Sequence, residues 1–327
     1  MPRVPVLALA LSGAIAGAAL PARANDSMAA TPIGGLTLVK TDAIRMESED
    51  LFISKEQVRV RYRFTNTSAA DIQTTVAFPL PDHTASPVTS IPDYLGELKF
   101  RTLIDGQPAE LTFVQRAIFK GRDVTERIAR LNLPIMPLVE PFEAARKALP
   151  KAEHDALVRD GLLENIGDEK NPDWENRWVT RTIVTRTQTF PAGRSVTVEH
   201  SYVPMVGGSV GGAINREHRK NEDFIAKRKT YCIDDGFLRS FDTRQAKMAE
   251  KHNYSEVWLN YVLKTGANWA GPIGDFRMVI DKGSADALVS FCGTGVKKIG
   301  PTEFEVRYKN FVPKDDLNVM IITFNPT

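Results

Sequence analysis

The sequence predicts a mainly β protein, built as two antiparallel β-sandwich-like units with a helical insertion between strands. Three observations lead there. Apolar and polar residues alternate with period 2 in run after run. Turn-forming Gly, Pro, Asn and Asp separate those runs. The long stretch of helical character, Phe119 to about Asn171, is cut by prolines into short pieces.

The first unit, residues 25–205, opens with strand patterns from Leu36 to Phe113. Val58, Val60, Tyr62 and Phe64 alternate with Arg59, Arg61 and Arg63, which places the apolar set on one face of a half-buried strand. Asn66-Thr67-Ser68 supplies turn chemistry, and Ile72, Thr74, Val76 and Phe78 form a second run that ends at Pro79-Leu80-Pro81. Phe100 to Ile104 and Ala109 to Phe113 follow, joined through Asp105-Gly106, a hairpin signal. In the insertion, Asp123 and Glu126 have the spacing of a capping box for a helix to about Leu131. Pro141 to Leu149 and Pro150 to Arg159 predict two further helices, each with proline in the first turn, and Gly161 closes the last. Trp178 to Phe190 and Val196 to Tyr202 read as a long hairpin turning at Pro191-Ala192-Gly193.

The second unit, residues 206–327, starts with a glycine-rich loop, Val206 to Gly212, and a charged stretch, Arg216 to Lys229, expected to be mobile or solvated. Phe237 to Lys251 is a helix candidate. Val257–Lys264, Phe276–Ile280, Ala287–Phe291, Phe304–Tyr308 and Val319–Phe324 read as strands. Cys232 and Cys292 are the only cysteines, lack Cys-x-x-Cys spacing, and are expected to form a disulfide across this unit.

Residues 1–24 combine Arg3, an apolar run from Val4 to Leu20 and the small-residue site Ala22-Arg23-Ala24, the pattern of a secretory signal peptide cleaved after Ala24. The mature chain is then expected in the periplasm or outside the cell, beginning at Asn25. Removing Arg3 and Arg23 from the 42 basic residues brings them level with the 40 acidic ones, so the charge balance offers no footprint for a nucleic-acid partner. No later segment has the apolar length of a transmembrane helix.

Candidate chemistry is sparse. Asp42, Glu47, Glu49 and Asp50 are dense enough for a cation or an acid–base pair but lack calcium-loop spacing, and read as a solvated turn. Arg59, Arg61 and Arg63 could meet a row of carboxylates on a ligand, or simply form the wet side of a sheet. His200 stands out among five scattered histidines because it shares an apolar face with Val198 and Tyr202. Trp269 joins these four as a candidate for a ligand or partner face; Trp174, Trp178 and Trp258 could stack on a ligand or fill a core. No serine-hydrolase, zinc or nucleotide-binding motif is complete: Gly207 to Gly212 lacks the Lys-Ser/Thr of a phosphate loop. No metal or cofactor is expected.

Several uncommon strings occur together. Gly35-Leu36, Glu49-Asp50-Leu51-Phe52-Ile53-Ser54, Val58 to Asn66 and Phe78-Pro79-Leu80-Pro81 resemble the start of the bacterial secreted proteins grouped as domain-of-unknown-function family 4424. Phe190-Pro191-Ala192-Gly193, His200-Ser201-Tyr202-Val203-Pro204, Asn268 to Ile273 and Ser290-Phe291-Cys292 resemble the same family further along. The resemblance implies a periplasmic or secreted protein and carries over no activity or catalytic residue. Val58 to Phe113 and Phe190 to Tyr202 are also weakly similar to the β-rich domain of inter-α-trypsin inhibitor heavy chains, from which at most the sandwich fold transfers.

These readings favour a non-catalytic binding module for an envelope component or protein partner. The alternative is an extracytoplasmic hydrolase with carboxylates or His200 in a cleft between the two β units.

Overall fold

The computed structural model describes residues 25–30, 37–84, 94–248 and 254–324. The predicted signal peptide lies outside them, as do Gly35-Leu36 and the end of the Phe237–Lys251 helix candidate.

The chain is mainly β. Among the described residues the strands form sheets of eight, seven, four and two strands. The longest sheet runs, in spatial order, Lys297–Lys298, Glu303–Phe311, Ile273–Asp281, Ile44–Ile53, Val58–Asn66, Ser195–Tyr202, Arg101–Ile104 and Gln107–Pro108. Its pairs are antiparallel except where Ile273–Asp281 lies parallel to Ile44–Ile53, with Phe276 opposite Glu49. Strands from both sides of residue 205 therefore share one hydrogen-bonded layer.

The seven-stranded sheet is built on the twelve-residue strand Val179–Phe190, flanked by Ile72–Pro79 and Thr112–Phe119. Ser27–Ala30 pairs with the far edge of Ile72–Pro79. The four-stranded sheet has the order Gly207–Val210, Tyr254–Tyr261, Leu317–Phe324 and Leu288–Phe291. Val60, Tyr62, Phe64 and Val198 of the long sheet share one apolar cluster with Val76, Phe78 and Phe190 of the second sheet and Leu259, Tyr261 and Ile321 of the third.

Residues 125–159 carry the three expected helices, Thr125–Arg130, Val139–Lys147 and Lys151–Arg159. Ile128, Phe142 and Leu157 bury against Ala117 and Trp178 in a cluster of their own. Gly161 ends the last helix with φ +76°, and the Leu162 N–H returns to the Leu157 carbonyl, as in a Schellman cap. The expected capping box is absent: Asp123 Oδ1 accepts from the Thr125 N–H two residues on, and Val124 takes the cap position.

Four further expectations change. Val179–Phe190 and Ser195–Tyr202 are not a hairpin, since the first pairs within the seven-stranded sheet and the second within the long one. Pro191-Ala192-Gly193 is thus a corner between layers; period 2 identifies the buried face of a strand but not its neighbour. Asn66 builds the adjoining corner, its buried Nδ2 donating to the carbonyls of Ala70 and Phe190, each at 2.8 Å. The glycine-rich loop contains an edge strand, Gly207–Val210, where a Cβ on Gly208 would stand 2.7 Å from the Glu256 carbonyl oxygen. The charged stretch holds a helix, Glu222–Thr230, anchored by buried Phe224.

The acidic cluster is the fourth. Asp42 precedes the strand Ile44–Ile53, and Glu47, Glu49 and Asp50 lie on it, where the register against Val58–Asn66 slips between Met46 and Ser48. The bulge resets the inward parity from Ile44 and Met46 to Glu49, Leu51 and Ile53, and so carries Glu49 into the core.

Cys232 and Cys292 are joined, closing 60 residues of sequence separation. In the chain-entropy model such a loop contributes about 4 kcal/mol. The double variant Cys232→Ser, Cys292→Ser is expected to lose about that much in urea unfolding, and the denatured, non-reduced wild type to titrate no free thiol.

Candidate functional site

The polar centre of the molecule lies inside the sandwich. Asp26, just before the strand Ser27–Ala30, takes both guanidinium amino groups of Arg186 on its two carboxylate oxygens, at 3.0 and 2.6 Å. Arg186 points inward from Val179–Phe190 and is held from its Nε side by Gln188 at 2.8 Å. His200 Nε2 meets Asp26 Oδ2 at 3.2 Å, and Thr102 Oγ1 meets His200 Nδ1 at 2.8 Å. Next to this group, Asn25 Nδ2 donates to Glu49 Oε2 at 3.0 Å, and the hydroxyls of Tyr62 and Tyr261 meet at 3.0 Å.

The entry segment is clamped as well. Thr265 Oγ1 donates to the Asn25 carbonyl at 2.8 Å, Trp269 Nε1 to the Asp26 carbonyl at 2.6 Å, and Asn268 Nδ2 to Ser27 Oγ at 3.0 Å. All of these donors come from the turn Lys264–Asn268 and the residue after it.

Burial sets the charges. Taken alone it would raise the Asp26 carboxyl, but Arg186 and His200 outweigh it and hold the group well below the usual carboxylate range. Glu49 goes the other way. Burial pushes it up to about 8, and the Asp26 charge adds to the rise against the hydrogen bonds of Asn25 and Tyr261. Burial also lowers His200, which is neutral at pH 7 and fits the tautomer that donates from Nε2 and accepts from Thr102 at Nδ1.

Hydroxyl, imidazole and carboxylate thus stand in the order of a nucleophile, a base and its orienting acid. Access rules the chemistry out. Thr102 is 3%, His200 2% and Asp26 0% exposed, so no scissile bond reaches Oγ1. The network is a clamp within the fold.

Besides a groove of about 690 Å³ over the long sheet, lined by Arg59, Arg61, Arg101, Glu199 and Arg277, two clefts open at the surface. One, about 460 Å³, is lined by Tyr94, Leu98, Tyr202 and Met205 with Asp82, His83 and Asn260. Gly207, Gly208, Tyr231 and Trp258 complete its C-terminal side. Tyr202 is buried, and its hydroxyl has no hydrogen-bond partner. Asp82 is tied bidentately to Arg181 at 3.0 and 2.9 Å. The second is a groove of about 1370 Å³ beside the disulfide, lined by Phe291, Tyr308, Phe311 and Val312. Among the described residues, no group of three or more His, Cys, Asp or Glu is arranged to hold a metal ion, and no helix is long and apolar enough to cross a membrane.

The family described as Domain of unknown function (DUF4424) matches residues 24–320. The chain belongs to this family. No curated protein matches the DUF4424 chain. Among solved structures it is similar to a putative nutrient binding protein from Legionella pneumophila, at 14% identity and a TM-score of 0.42, over 91% of this chain and 70% of that one. These comparisons do not show the weaker likeness to inter-α-trypsin inhibitor heavy chains.

The residues singled out from the sequence of this DUF4424 protein fall on two sides of the long sheet. Arg59, Arg61 and Arg63 project outward, with Arg61 3.5 Å from Glu199 and the Arg59 guanidinium 4.5 Å from the centre of the Phe52 ring. His200 and Trp269 are buried and meet around Asp26. The five therefore form no common surface. Sequence reasoning missed Asp26 and Arg186, and read Glu49 as part of a solvated turn where the structure buries it. For Arg186 a signal existed, since it sits at the inward parity of Val184, Gln188 and Phe190.

Arg186→Met is expected to destabilise the protein by about 3–5 kcal/mol in urea unfolding, because Asp26 is left buried and unpaired. Adding Asp26→Asn should recover much of that loss. Acid adds a second check. The folded His200 pKa is depressed, so its contribution is present above the unfolded value of 6.5 and is lost as pH falls below it. Asp26 behaves likewise below 3.8. Between pH 7 and 5 the melting temperature of wild type is expected to fall more steeply than that of His200→Gln.

Proposed function

We propose that this chain is an exported, non-catalytic binding module, processed after Ala24, that takes up an amphipathic envelope component in the cleft between its two units. The disulfide supports the compartment, since such bonds persist in oxidising surroundings. The observation that carries the binding reading is the cleft itself, where half-buried Pro81, His83 and Met205 and exposed Asn260 share one wall. The cleft volume falls within the range of small-molecule sites, about 300–1,000 Å³. Its composition suits a ligand with an apolar body and a polar tip: Leu80, Pro81, Leu98 and Met205 offer apolar contact, while His83 and Asn260 offer hydrogen bonds.

N-phenyl-1-naphthylamine, an apolar amine whose fluorescence rises on leaving water, is the probe. It is expected to bind one per chain. Leu98→Trp, which fills the cleft, should weaken it at least about tenfold, equivalent to about 1.4 kcal/mol. Tyr202→Phe should leave binding in place while raising the melting temperature of the free protein, because the orphan buried hydroxyl is gone. Saturable binding that is unchanged by Leu98→Trp would refute the assignment of the cleft.

A further inference from the structure

The buried centre holds two carboxyl groups, Asp26 and Glu49, both essentially inaccessible, and one fixed cation, Arg186. Arg186 is committed to Asp26 through both amino groups, and His200 sits beside the same carboxylate. Glu49 receives the Asn25 side-chain amide on Oε2, and its buried Oε1 has no hydrogen-bond partner. Buried charges are normally paired, because an isolated one is strongly destabilising.

Asn25, the residue that touches Glu49, is also the one that the predicted cleavage turns into the N-terminus. It is fully buried, and its carbonyl is fixed by Thr265. Glycine at 266 makes room for it: a Cβ there would lie 2.8 Å from Asn25 Nδ2. Within the precursor the main-chain nitrogen of Asn25 is a neutral amide. Hydrolysis of the Ala24–Asn25 bond breaks that C–N link; one water supplies the new carboxylate oxygen on Ala24 and both protons that convert the amide N–H to an ammonium.

We propose that the α-ammonium group created at Asn25 by leader removal stays inside the sandwich as the counter-charge of Glu49, so that processing completes the buried centre. The inference rests on the export reading above for the position of the cut. It makes the N-terminus a modification site with a structural consequence. Before cleavage that nitrogen carries no charge; afterwards it offers Glu49 a cation that no side chain supplies.

The test compares the chain starting at Asn25, released from a fusion that leaves no extra residue, with the same chain carrying Gly-Ser before Asn25, each with and without Glu49→Gln. In the Asn25 form, Glu49→Gln is expected to lower the melting temperature by about 5 °C or more. In the extended form, Glu49→Gln should change it by less than about 2 °C, because the amide replaces a carboxyl that has no cation to meet. Amine labelling of the native wild type, read by mass spectrometry, should leave the Asn25 α-amine unmodified until urea unfolds the chain. This second measurement holds even if the variant fails to fold. Equal shifts in both forms, or labelling of the native α-amine as fast as that of an unstructured peptide, would overturn the proposal. The mass of the protein recovered from the periplasm tests the cut separately. A start elsewhere than Asn25 removes the export premise, whereas an Asn25 start with a freely labelled amine refutes the seating alone.

Discussion

The bidentate pair between Asp26 and Arg186 joins residues 160 apart in sequence, deep between two sheets, and the rest of the architecture is arranged around it. Neither charge survives burial without the other: a lone carboxylate or guanidinium in such a medium loses several kcal/mol of hydration. The pair is therefore a condition on the fold. The Asn25–Ser27 segment must enter between the layers, the strand Val179–Phe190 must present Arg186 inward, and His200 must reach across from the long sheet. The turn from Lys264 to Trp269 closes the arrangement from the C-terminal half by holding the backbone of the same segment. One polar contact set thus ties the Asn25–Ser27 segment to elements from both halves.

The long sheet makes this possible because it belongs to both halves. Its parallel pair places Ile273–Asp281 beside Ile44–Ile53, and the apolar cluster continues beneath both. A bulge at Glu47 decides which residues of Ile44–Ile53 face in. Without the slip, Ser48 and Asp50 would point to the core and Glu49 to water, where Arg277 now meets Asp50 at 3.0 Å. With it, Glu49 joins Asp26, and Leu51 and Ile53 remain buried. A one-residue irregularity places a carboxylate where only a strong local reason could keep one.

Much of this was legible in the sequence. The alternation from Val58 to Phe64 identified a strand and its buried face, and prolines and Gly161 bounded the inserted helices. The strand partners were not legible, because parity says which side of a strand is buried and nothing about what lies beside it. That is why Trp178–Phe190 and Val196–Tyr202 read as a hairpin although a corner separates them. Gly207 and Gly208 read as a loop because glycine signals freedom; here it permits close approach to Trp258 and to the Glu256 backbone. Of the candidate residues, His200 sits on the apolar face its parity predicted, while the arginines on the other face meet Glu199 and the Phe52 ring. Asp26 had no local signal at all, being a single acid in a polar segment whose partner lies in a distant strand.

The same physics separates what can be stability from what can be binding. The Thr102–His200–Asp26 chain has the connectivity of a catalytic set, but its hydrogen bonds are made within the protein and its atoms are out of reach. A polar network that is satisfied internally rigidifies a fold. A group left unsatisfied is different, because its cost is removed only when something else arrives. Glu49 Oε1 beside the entry segment and the Tyr202 hydroxyl behind the cleft wall are among such groups. The first is met from within the chain once Asn25 carries a charge. Completion of the core by the N-terminus would steady the Ser195–Tyr202 strand, which carries both His200 and Tyr202, so the buried clamp and the cleft share one backbone element.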